Sequence, residues 1–176
     1  MDLNSYLIMK KILVLVLMTL LVTVVYAQRK NRTTSVREWD EYEIAVEKVG
    51  VEGTKFVKVW GSGKDVDAAV LSAKRNAVHA CLFRGLLAGT DVNATPAICR
   101  DPRALEDHID YFERFFAADG PFLNYVNVTT DGVPSGQDRR QVKGGFKVAI
   151  YAQVLYDELK RQMENDGIIR KLSTYF

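Results

Sequence analysis

Two cysteines and two histidines are the only soft-ligand side chains in this 176-residue chain. That scarcity weighs against zinc, which needs three or four ligands in workable geometry. His79 and Cys81 stand two apart on a stretch that reads as a helix. They therefore project about 200° apart and cannot share a metal while the helix is intact. No serine-hydrolase motif occurs. No acidic pair points inward from an apolar face, so glycosidase-type chemistry with two facing carboxylates finds no residues. A thiol enzyme would have to rest on Cys99 with His108, because Cys81 falls on an apolar stripe. An excess of one charge is missing too. Lys and Arg number 24 against 22 Asp and Glu, a net +2, which offers nucleic acid no electrostatic attraction. These absences assign no cofactor and no metal, and they predict a protein that is not an enzyme.

An apolar run long enough to span a membrane is also lacking. The longest, over 12–25, falls short of the ~20 residues a spanning helix needs. It follows Lys10 and Lys11 and ends in Val25-Tyr26-Ala27, the small-x-small pattern of a signal-peptidase site. The sequence therefore predicts a signal peptide over 1–27, a flexible lead-in over 28–37 and a single α+β domain over 38–176. Met9 offers an alternative start. Removing the leader takes away Lys10, Lys11 and Asp2, which lowers the net charge by one. The chain is expected to be exported, to the periplasm or beyond it.

What the sequence does have is one long alanine-rich amphipathic helix, beginning near Asp65. On a helical wheel Val66, Val70, Ala73, Ala77, Ala80 and Cys81 form one stripe. Leu71, Val78, Leu82 and Leu86 form a second beside it, while Asn76 and His79 are expected to face away. Two adjoining apolar stripes predict a helix lying flat on a sheet, with the alanines allowing close approach. Asp65 and Asp67 suit the positive end of its dipole, and Gly85 and Gly89 mark its end. Gly61 and Gly63 read as a sharp turn out of the preceding strand. The strand-GSGK-helix order invites a phosphate-loop reading. The Walker pattern fails, however, because Lys58 stands where its first glycine belongs and Asp65 where its Ser or Thr belongs.

Alternation over 38–47 predicts a half-exposed strand, paired through a glycine turn with a second over 54–60. Asp101-Pro102 signals another helix, with Leu105, Ile109, Phe112 and Phe116 on its packing face. A third strand is expected over 122–130, a mobile connection over 131–138, and the longest strand over 146–156. A last helix over 157–166 should stop at Gly167. The predicted fold is α+β, in the order β-β-α-α-β-β-α, with an antiparallel four-stranded sheet and helices mainly on one face. The closing residues 172–176 end in an aromatic, as outer-membrane barrel strands do. The helical patterns in the middle of the chain argue against a barrel.

Two sets of side chains stand out as candidate sites. Cys81 and Cys99 could pair in an oxidising compartment, closing a loop whose cross-link would be worth roughly 3 kcal/mol. The apolar stripe around Cys81 equally suits a buried free thiol. Aromatic residues are dense, and Trp60, Lys64, Tyr111, Phe115, Phe122 and Tyr125 are the binding candidates. The competing assignment for the aromatics is hydrophobic core.

The segment 57–89, with its G-x-G, spaced alanines and asparagine-alanine step, resembles the N-terminal domain of flagellar assembly protein T and related small outer-membrane lipoproteins. The fuller run VKVWGSGKDVDAAVLSAKRNAVHACLFRG, with the closing YDELKRQMENDGIIRKLS, resembles uncharacterised secreted proteins of anaerobic gut bacteria. The lipoprotein cysteine is missing here. The resemblance implies an α+β fold and a role in envelope assembly or partner binding, with no catalytic residues to carry over. The expected function is thus a non-catalytic module binding an envelope protein or surface component. A carrier of a small apolar ligand is the alternative.

Overall fold

The computed structural model describes residues 41–49, 53–89, 92–130 and 132–170, together with Lys10, Lys11 and Leu13. The chain divides into two compact units, Met1–Trp39 and Asp40–Phe176. Every strand described below belongs to the second. The leader apart from Lys10, Lys11 and Leu13, the lead-in 28–37 and the closing residues 172–176 lie outside the described residues.

The sheet holds five strands among the described residues: β1 (Ile44–Val49), β2 (Lys55–Gly63), β3 (Val126–Val128), β4 (Arg139–Val142) and β5 (Gly145–Val154). All pairings are antiparallel, in the order β1-β2-β5-β3. β4 takes the same edge of β5 as β3, nearer the start of that strand. The α+β fold with an open antiparallel sheet is thus as the sequence predicts, with one strand more than expected. β4 was hidden because Arg-Arg-Gln-Val has no apolar alternation and all four side chains are exposed. The third predicted strand is also shorter, since Pro121–Tyr125 winds into a 3₁₀ turn before β3 begins.

Register divides the sheet into two unlike faces. Val57 stands opposite Ala152, Val59 opposite Ile150 and Gly61 opposite Val148, and all six are buried. Fully burying a Val or Ile side chain is worth roughly 1.5–3 kcal/mol, so this face anchors the fold. Lys58, Trp60, Tyr151 and Lys147 alternate with these and point the other way, half exposed.

Helix α1 (Val66–His79) crosses the buried face. Asp65 caps it, its carboxylate accepting from the Ala68 amide at 2.8 Å. Its last turn, Ala80–Arg84, widens into a π-helix, and the chain breaks at Gly85 with φ +73°. Gly61 and Gly63 are not the turn the sequence suggested; both lie within β2. A Cβ on Gly61 would stand 2.2 Å from the Ala73 nitrogen, and one on Gly63 2.4 Å from the Ala69 nitrogen. The two glycines and the two alanines let strand and helix backbones touch. The buried stripe of α1 is accordingly Ala69, Ala73, Asn76, Ala77 and Ala80, while Val66 and Val70 are only half buried. Asn76 was expected to face solvent. It is 7% exposed instead, and its amide donates to the Trp60 carbonyl at 2.8 Å, tying helix to strand.

The second predicted helix is two short pieces, α2 (Ala104–Asp107) and α3 (Ile109–Phe115), broken at His108 with φ −119° and ψ 32°. Asp101 shapes the entry by accepting from the Arg103 amide at 2.9 Å. The break rotates the packing face, so Phe112, Phe115 and Phe116 are buried while Leu105 and Ile109 are half exposed. Helix α4 (Tyr156–Asn165) buries Leu159 and Met163 and ends before Gly167, as expected. No described helix is long and apolar enough to cross a membrane.

Candidate binding face

Strand alternation sets the chemistry of the half-exposed sheet face. Lys58 of β2 sits opposite Tyr151 of β5, donates to its hydroxyl at 3.1 Å and lies 4.9 Å from its ring centroid. Asp138, at the entrance to β4, completes an ion pair with Lys58 at 2.8 Å. The Asp138 carboxylate first, and the Tyr151 hydroxyl second, push the lysine's pKa above its ordinary range.

Two residues further along β2, Trp60 is contacted by two cations. The Arg140 guanidinium lies 4.9 Å from its ring centroid and the Lys147 ammonium 5.5 Å. Lys147 also donates to Glu43 at 2.7 Å, which holds that carboxyl below the usual carboxylate range. The Trp60 amide donates to the Glu43 carbonyl at 3.0 Å, so the indole stands on a fixed backbone. The result is a half-exposed Trp and Tyr, each in contact with a cation whose partner carboxylate fixes it. Cation-aromatic contacts of this kind are worth about 0.5–1 kcal/mol at exposed sites.

The six predicted binding residues do not form one site. Trp60 belongs to this face, and Lys64 is exposed in the turn beyond the end of β2. Tyr111, Phe115 and Tyr125 form a stacked ladder with centroid separations of 5.8 and 6.0 Å. The Tyr111 hydroxyl donates to Asp166, and burial together with that carboxylate raises its pKa. Phe122 is fully buried and packs on Phe116, so it is core. Sequence reasoning missed Lys58, Tyr151, Lys147, Arg140 and Asp138. The mixed face of the longest strand signalled Tyr151 and Lys147. Arg140 and Asp138 had no signal, because their strand and its approach had none.

Of the remaining reactive groups His79, Cys81 and Cys99 are buried, while His108 is half exposed. His79, expected outside, is 8% exposed and sits among Tyr42, Phe83 and Phe116. Its Nδ1 and the Tyr42 hydroxyl hydrogen-bond at 2.7 Å. Burial first, and the nearby Arg84 charge second, bring His79 down to about 3, so it is neutral at pH 7. Tyr42 is pushed up to about 12, chiefly by burial. Cys81 and Cys99 are free thiols, both buried, and burial pushes each up to about 12. Such thiols are almost wholly protonated at neutral pH, the opposite of an activated nucleophile. Among the described residues no three His, Cys, Asp or Glu side chains converge as a metal site would require.

No protein-family model matches the chain, and neither a curated protein nor a solved structure matches it.

Proposed function

We propose that this protein is an exported, non-catalytic module that docks a partner in the bacterial cell envelope through the sheet face carrying Trp60. The observation that carries the reading is the half-exposed indole in contact with both Arg140 and Lys147 on the face opposite the helix-covered one. Trp, Tyr and Arg are the residues enriched at the energetic centres of protein interfaces. A rigid aromatic fixed by its neighbours also loses little entropy on binding. The leader-like segment ahead of the domain, the local resemblance to envelope-assembly modules and the protonated thiols support the same reading.

The test is the size of the protein's complex in gently solubilised envelopes of its host, read on native gels. Wild type should migrate in a complex larger than the free chain. Trp60→Ala should release it as free chain while its far-UV circular dichroism and melting temperature stay close to wild type. A Trp60→Ala variant that keeps the complex, or a wild type that migrates as free chain, would overturn the proposal.

A further inference from the structure

A second site lies on the other side of the sheet, where helix α4 meets the loop that follows α1. Its walls are fixed. The loop is tied down by paired bonds between Leu86 and Thr95, both 2.8 Å, and by bonds from Ile98 and Cys99 to the Cys81 and Leu82 carbonyls. The Tyr156 hydroxyl donates to the Pro96 carbonyl at 2.8 Å, bolting α4 to the loop. Beyond α4 the chain folds back at Gly167, φ +74°, and the amides of Ile168 and Ile169 donate to the Met163 carbonyl. Between these walls is a cleft of about 800 Å³. That volume is within the roughly 300–1,000 Å³ of small-molecule sites.

The lining sorts into an apolar floor and a charged rim. Ile98, Cys99, Ala104, Tyr156, Ile168 and Ile169 supply most of the floor. Lys55, Arg100, Lys160 and Arg170 supply four cations, against the two carboxylates of Asp101 and Glu164. Asp101 already accepts from the Arg103 amide. None of the four cations makes an ion pair within the described residues, whereas Lys58 and Lys147 on the opposite face are both paired. A low-dielectric floor beside a rim with more cations than carboxylates favours one kind of molecule, with an apolar body and an anionic end.

We propose that this cleft binds a single-chain amphiphile with an anionic head, the chain lying on the floor and the head meeting the cationic rim. The proposal is independent of the Trp60 face. Two head groups share this chemistry, a carboxylate and a phosphate monoester, and the test separates them. The purified full chain is titrated calorimetrically with dodecanoate, dodecyl phosphate and the uncharged dodecyl maltoside, each below its micelle concentration. Saturable one-to-one binding of at least one anionic probe is expected, with little or none of the maltoside. The stronger of the two anions identifies the head. Raising the salt should weaken the binding, as for charges at a solvent-exposed rim.

Arg100 is exposed and Lys160 half exposed, so Arg100→Ser with Lys160→Ser spares the core. That double variant should lose at least about tenfold in affinity, and Trp60→Ala should lose none. Equal binding of the maltoside, full affinity in the double variant, or no binding of either anion at millimolar concentration would overturn the proposal.

Discussion

Nothing at position 61 can yield to a side chain, because the atoms a methyl group would meet are helix backbone. Gly61→Ala should therefore cost 3 kcal/mol or more, at or beyond the upper end of the ~1–3 kcal/mol usual for overpacked sites. A chemical denaturation curve measures it. His79 gives the second residue-scale expectation. The folded protein holds it at about 3, below the 6.5 of an exposed histidine, so between those values the unfolded chain binds the extra proton. Stability must then fall as the pH drops below 6.5, by up to about 1.4 kcal/mol per unit. Urea titrations at pH 6.5 and 5 should show up to about 2 kcal/mol of loss, and His79→Phe should flatten that dependence. A slope unchanged by the substitution would place the titrating group elsewhere. The wheel put His79 and Asn76 outside because it weighs polarity and spacing alone. It cannot see a strand carbonyl waiting for Asn76, or two phenylalanine rings and the Tyr42 phenol around His79.

Elements were legible where one period ran long and failed where it was short. Helix α1 declared itself through spaced alanines, and β5 through ten residues of alternation. β4 has four exposed residues, and its place is set by the hairpin that joins it to β5 rather than by any pattern of its own. The break at His108 was invisible for a related reason. Leu105, Ile109, Phe112 and Phe116 fit one helix on paper, but the packing takes Phe115 as well. Native-state hydrogen exchange should rank the elements accordingly. The amides of Ala69, Ala73 and Ala77 in α1 should exchange only through global opening. Those of Arg139–Val142 should exchange by local fraying, several orders of magnitude faster. Comparable protection in both would contradict this division of the sheet. Ala77→Leu tests the same seam from the helix side and should cost roughly 1–3 kcal/mol.

At the scale of the whole molecule, the two faces of the sheet differ in what covers them and in what they leave exposed. One face carries Val57, Val59, Val148 and Ile150, all buried beneath helix α1. The other keeps Trp60 and Tyr151 half exposed among three cations. The leader pattern predicts export, with the mature protein beginning at Gln28. N-terminal sequencing of the accumulated form checks this, and retention of Lys10 and Lys11 would contradict it. The most direct test of the proposed docking through the Trp60 face is site-specific photo-crosslinking in living host cells. A photoreactive residue at Ser62, exposed near Trp60, is compared with one at Asp119, exposed after α3. A single crosslinked species from position 62, lost in a Trp60→Ala background and missing from position 119, is the result expected. Crosslinks from position 119 alone, or none from either, would contradict the assignment of the partner to the Trp60 face.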